Sequence, residues 1–183
     1  MADRLVDGAA EIQAVCVYEQ LGFCFIGGLA VLRWGEPRLT RDVDVTVLAG
    51  YGLEASVVRT LLDAFASRIE DPEQFALANR VLLLEAANGT PIDVALGALP
   101  FEERSVERAT EFELAGQRLR TCSAEDLIVH KVFAGRAHDW QDVEGIVARS
   151  HDLDVGLIRA ELPPLLAAKG TVGDLARLES MLG

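Results

Sequence analysis

The stretch Phe25-Ile26-Gly27-Gly28-Leu29-Ala30-Val31-Leu32-Arg33-Trp34-Gly35-Glu36-Pro37-Arg38-Leu39-Thr40-Arg41-Asp42-Val43-Asp44-Val45 decides the fold. The apolar, aromatic run Phe23 to Ile26 has the composition of a buried strand and stops at two glycines. Leu29 to Arg33 then reads as a helix that opens at those glycines. Glycine lets the backbone approach a ligand closely, and the free N–H groups at a helix start favour phosphate. Val43 to Leu48 is a β-branched run and a second strand. Period-two alternation puts Asp42 and Asp44 on one face, with Val43 and Val45 on the other. Arg38 and Arg41 lie beside that acid pair in sequence.

Two carboxylates aimed at one point repel each other unless a cation sits there. Mg²⁺ suits such a site, because it takes hard oxygen ligands and shares its shell with phosphates. Two such ions activate an attacking hydroxyl and stabilise the leaving group. Asp93 is a third acid, set between Ile92 and Val94 in an otherwise apolar strand, where it is costly to bury unless paired or metal-bound. Each feature also has a plainer reading. Gly27-Gly28 alone is a tight strand-to-helix turn, Asp42 and Asp44 the solvent side of a half-buried strand, and Asp93 an ordinary paired acid.

Working outward, residues 7 to 21 carry apolar side chains at helical spacing, and Val57 to Ala66 does the same with Leu61, Leu62 and Phe65 on one side. Val81 to Leu84 and Ile92 to Leu96 read as strands joined through Asn88-Gly89, a pair that tolerates positive φ. Phe101 to Arg108 suggests a short helix, and Phe112 to Leu114 with Arg118 to Thr121 a second hairpin. From Ser123 everything reads as helix. The expected spans are Ser123 (as N-cap) to Ala134, closed by Gly135, then about His138 to Arg149, Val155 to Ala168 and Val172 to Leu182. Pro163-Pro164 is expected to bend or split the third of these. The fold class that follows is α+β. A small mixed sheet with flanking helices spans residues 1–121, and a C-terminal helical portion spans 122–183.

Composition narrows the function. The 183 residues hold 17 basic and 29 acidic side chains, a net charge of −12. Such a chain is a poor non-specific DNA binder, because phosphate contacts need a positive surface. The charge is uneven: residues 54–103 net −6, whereas 33–41 and 118–136 each net +2. A phosphate-sized basic pocket inside an acidic shell is the expectation. Cys16, Cys24 and Cys122 are widely spaced with no CxxC, which reads as reduced core thiols of a cytoplasmic protein. Neither a signal peptide nor a membrane span is expected.

The pattern Ile26-Gly27-Gly28, thirteen residues, then Asp42-Val43-Asp44-Val45, with Asp93 on a later strand, resembles the nucleotidyltransferase (DNA polymerase β-like) superfamily. The run Asp126 to Val143, which contains Lys131, Arg136, Asp139 and Asp142, is similar to the helical signature of the AbiEii-type nucleotidyltransferases, among them toxins of bacterial toxin–antitoxin systems. The resemblance implies a nucleotidyltransferase core whose cleft the helical portion completes. It implies transfer of an NMP from an NTP to an acceptor hydroxyl on RNA, protein or a small molecule, with a cognate antitoxin as partner. Gly27 and Gly28 would contact the nucleotide phosphates, and Asp42 and Asp44 would bind Mg²⁺. Asp93 would be a third ligand or the general base. Lys131 would reach the triphosphate, Arg41 and Arg136 would bind nucleotide, and Asp139 and Asp142 would complete the helical motif. The alternatives are an aminoglycoside-type enzyme and a non-catalytic descendant that binds a nucleotide or a partner.

Overall fold

A computed structural model describes residues 2–182. Two compact units divide the chain. One holds the residues up to Leu29 with Leu39–Cys122, and the other holds Ala30–Arg38 with the residues from Ser123 onward. The segment Ala30–Arg38 thus falls with the C-terminal helices, although it lies within residues 1–121.

The first unit is built on seven strands: β1 (Phe23–Phe25), β2 (Val43–Leu48), β3 (Ala66–Ser67), β4 (Val81–Glu85), β5 (Pro91–Gly97), β6 (Thr110–Leu114) and β7 (Gln117–Thr121). They form one sheet in the order β3-β4-β5-β2-β1-β7-β6. It is mixed, as the sequence predicts: β2 runs parallel to β5 and β1 to β7, and the other neighbours are antiparallel. Side-chain alternation makes one face continuous. Phe23 and Phe25 stand opposite Val47 and Val45. Val43, Val45 and Val47 stand beside Ile92, Val94 and Leu96, and Ile92 and Val94 pair on with Leu84 and Leu82. All are buried. The helix α1 (Ala2–Tyr18) packs across β7, β2 and β5 with Leu5, Ala9, Ile12 and Cys16 buried at helical spacing.

Both hairpins form as their turn residues require. β4 and β5 are joined through Asn88-Gly89, where Gly89 takes φ +76°. β6 and β7 are joined by Ala115-Gly116, both at positive φ, the geometry that matches strand twist in a two-residue turn. The helix α5 (Pro100–Arg108) follows β5 and packs on β1 and β2. Two elements differ from the sequence expectation. The helix read over Val57–Ala66 is α3 (Glu54–Ala64), and Ala66–Ser67 is extended and pairs with β4. An additional helix, α4 (Pro72–Asn79), follows. It buries only Ala76, so its sequence carries almost no apolar periodicity to read.

The second unit contains α2 from Ala30 on (the helix spans Gly27–Trp34), α6 (Ala124–Ala134), α7 (Ala137–Arg149), α8 (Val155–Lys169) and α9 (Gly173–Leu182). Ser123 caps α6 by accepting from the Asp126 amide at 3.1 Å, and Gly135 ends it at φ +72°. Pro163-Pro164 does not split α8, which runs through both prolines. Proline removes a donor but its φ is helical, and the buried Ile158, Leu162 and Leu166 hold the two halves in one helix. Among the described residues no helix is long and apolar enough to cross a membrane.

Phe25 is fully buried where β1 meets β2 and β7. Phe25→Ala is expected to lower the unfolding free energy by about 3–5 kcal/mol, measured as a lower urea midpoint at unchanged slope.

Candidate active site

The strand pairing brings two of the predicted acids together. β2 and β5 lie side by side and parallel, in a register that sets Asp44 next to Asp93. Both are half-buried, on the face opposite the apolar stripe. Asp42, exposed at the entry to β2, is close enough for its charge to act on Asp93. Burial is the main reason that the Asp93 carboxyl is raised above the ordinary aspartate range. The Arg68 guanidinium opposes this and the negative charge of Asp42 adds to it.

The two glycines are there for space. Gly27 takes φ +57°, and a Cβ there would fall on the Asp44 carboxylate. A Cβ on Gly28 would collide with the Thr40 hydroxyl. The Gly28 amide instead donates to Asp44 Oδ2 at 3.4 Å, which puts a carboxylate at the start of α2, where the helix dipole favours negative charge. Thr40 Oγ1 donates to Asp42 Oδ1 at 3.2 Å. Arg68 forms an ion pair with Asp93. Neither Thr40 nor Arg68 is marked by a motif. Arg68 reaches Asp93 only because β3 and β4 carry it there: its own amide bonds to Leu83, the residue paired with Asp93.

The donor set fits a hard divalent cation: three carboxylates, two of them on adjacent strands, with mutual repulsion visible at Asp93. As the side chains stand, no group of three or more His, Cys, Asp and Glu among the described residues could hold a metal ion. Asp93 is turned to Arg68 and Asp42 to Thr40.

The remaining predicted residues behave differently. In the second unit Lys131 is 5% exposed. Its ammonium lies 3.1 Å from Asp139 Oδ1 and 2.7 Å from Asp142 Oδ2. Arg136 donates to Asp139 through Nε at 2.7 Å. Arg38, which the sequence sets near the Asp42–Asp44 pair, instead grips Asp142 with a two-pronged contact at 2.8 and 3.0 Å. The two buried aspartates therefore share Lys131 and each has its own arginine. Burial works to raise both carboxyls, but hydrogen bonds from Arg136 and Lys131 on one, and from Arg38 and Lys131 on the other, hold both below the usual range. Lys131 is thus engaged inside its own unit, although the family resemblance has it reaching a triphosphate. His130 is pushed down to about 4 by burial and the neighbouring Lys131 charge, so it is neutral at pH 7. Arg41 is exposed and makes no ion pair among the described residues. It lines a cavity of about 360 Å³ with Arg4, Thr40 and Thr90. The three cysteines are buried and unbridged, and burial pushes the Cys16 thiol up to about 12, far from a nucleophile.

Comparison with known proteins adds two findings. The family model described as "Nucleotidyl transferase AbiEii toxin, Type IV TA system" matches residues 13–182. The fold is similar to that of an antigenic nucleotidyltransferase-like protein from Paracoccidioides brasiliensis (17% identity, TM-score 0.57, covering 98% of this chain and 91% of that one). It is also similar to the antibiotic-resistance factor ANT(2'')-Ia (18% identity, TM-score 0.55, covering 98% and 97%). No curated protein matches the sequence.

Two measurements test the buried network. Lys131→Met leaves Asp139 and Asp142 short of a shared cation and is expected to cost about 3–5 kcal/mol of stability in urea unfolding. Both carboxyls are depressed in the folded chain. The stability they contribute is therefore full above the unfolded value of about 3.9 and is lost as pH falls below it. The urea midpoint should drop as pH falls below about 4, and less steeply in Asp142→Asn.

Proposed function

Because the chain belongs to the AbiEii nucleotidyltransferase family, we propose that it transfers an NMP from an NTP to an acceptor hydroxyl at the face bearing Asp42, Asp44 and Asp93. The observation that carries this is the parallel register of β2 and β5, which sets two carboxylates side by side at half burial with a third at the strand entry. Asp42 and Asp44 would hold Mg²⁺, with Asp93 as third ligand or base. The metal, when bound, neutralises phosphate charge and stabilises the pyrophosphate as it leaves. Gly27 and Gly28 would contact the nucleotide phosphates at the start of α2, where the absence of a Cβ lets the backbone close onto the Asp44 carboxylate.

Asp93 is the acid best suited to take the acceptor's proton at its carboxylate oxygen. Its raised affinity for protons brings it nearer the working pH than an ordinary aspartate. Arg68 neutralises it in the meantime, and released from Asp93 it would be a cation for the phosphates. Lys131 and Arg136 serve in this reading by holding Asp139 and Asp142 in place rather than by meeting the nucleotide directly. The family description also motivates a toxin role with an antitoxin partner.

The test is incorporation of [α-³²P]NTP into total RNA, total protein and a small-molecule panel, with each NTP and Mg²⁺. One acceptor class is expected to label. Asp42→Asn with Asp44→Asn should abolish labelling, and Asp93→Asn should reduce it by about 10²–10⁴-fold, the usual contribution of a general base. Labelling that survives the double substitution refutes the assignment. Growth arrest on expression should disappear in the same double variant if the chain is a toxin.

A further inference from the structure

We infer that the cavity between Arg4, Thr40, Arg41 and Thr90 is a subsite for a phosphate group of the acceptor, so that the acceptor is a phosphate-bearing molecule and not a polycation. The inference rests on the nucleotidyl-transfer reading above and names the chemistry of its second substrate.

The cavity measures about 360 Å³, within the range of small-ligand sites. It lies where the start of α1, the β4–β5 turn and the run into β2 come together. Its two charged groups are both guanidiniums. Arg4 is held from its backbone: its carbonyl accepts from Asn88 Nδ2 at 2.8 Å and from the buried Thr90 Oγ1 at 3.1 Å. Its side chain lies over Gly89, where a Cβ would come within 2.5 Å of Nη2. Glycine in the turn thus makes room for this guanidinium. Arg41 supplies the second from the opposite segment.

Neither arginine makes an ion pair among the described residues, although acids outnumber bases by 29 to 17. Arg38, Arg68, Arg80, Arg136 and Arg159 all have carboxylate partners. Two like charges lining one cavity repel each other, and planar guanidiniums match phosphate oxygens. The cavity is also tied to the chemistry. Thr40 lines it, donates to Asp42 Oδ1 at 3.2 Å and occupies the space over Gly28. A phosphate held by Arg4 and Arg41 brings its own molecule to the edge of the carboxylate face. A polycation would meet two positive charges there.

Titration calorimetry on the full chain tests this with two phosphate sources, each beside a neutral analogue. A ribodinucleotide and its methylphosphonate analogue represent a nucleic-acid end. Glucose 6-phosphate and glucose represent a small sugar phosphate. At least one charged probe should bind more tightly than its neutral analogue, and the pair with the larger difference identifies the source. Arg4→Gln and Arg41→Gln should each weaken that probe about tenfold, the loss of one charge-assisted contact. Arg4→Lys should restore most of the binding. Affinity for a non-hydrolysable NTP with Mg²⁺ should be unchanged by Arg4→Gln. The inference is overturned if neither charged probe binds better than its neutral analogue. It is also overturned if Arg4→Gln weakens the NTP analogue as much as the probe, which would give the cavity to the nucleotide. All of these are binding constants. A chain that labels no acceptor yet gives the expected pattern would refute the transfer reading and leave the subsite standing.

Discussion

Asp44 lies where the side chain of any residue but glycine at position 27 would be. That close approach constrains the whole first unit. Ile26 donates its amide to the Asp44 carbonyl at 3.0 Å, so the exit of β1 and the acid on β2 are fixed to one another. β5 then pairs with β2 in the one register that puts Asp93 beside Asp44. A slip of one residue would send Asp93 to the apolar face and Val94 to the carboxylate face. The fully buried Val43–Ile92 and Val45–Val94 pairs resist such a slip, because their apolar area would be returned to water. The core thus sets the geometry of the acids, even though the acids themselves oppose folding by their mutual repulsion.

The two units handle negative charge in opposite ways. In the second, Asp139 and Asp142 are buried and matched by Lys131, Arg136 and Arg38 at hydrogen-bond distance. Burying a charge is tolerated when it is paired and hydrogen-bonded. In the first, Asp44 and Asp93 are half-buried and Asp42 is exposed, and Arg68 forms an ion pair with Asp93. Buried, paired acids hold their unit together, whereas half-buried ones stay within reach of solvent. The same residue type therefore carries different expectations in the two places.

Much of this was legible along the chain because it is local or periodic. The Gly27-Gly28 turn, the Asp42-Val43-Asp44 alternation, the Asn88-Gly89 and Ala115-Gly116 turns, and Ser123 and Gly135 at the ends of α6 all follow from backbone chemistry within a few residues. What was illegible is non-local or weakly patterned. The short strand β3 follows a helical pattern and exists only through pairing with β4. α4 buries a single alanine. Arg38, close to Asp42 in sequence, pairs with Asp142 instead, 104 positions away. Lys131, one of only two lysines, reads along the chain as a cation for the triphosphate, and only the fold shows the two carboxylates around it.

The sequence by itself determined that an acid would alternate with buried valines on a strand beginning soon after a glycine-opened helix, with Asp42 just before that strand, and that another acid would sit in an apolar strand. Alternation and turn chemistry need nothing beyond the residues concerned. Only the tertiary structure decided which strand lies next to which, and so that Asp44 meets Asp93, that Arg68 covers Asp93, and that Arg4 and Arg41 line one cavity. Strand order and register are chosen by the burial of apolar faces over the whole sheet, and no stretch of a few residues contains that information.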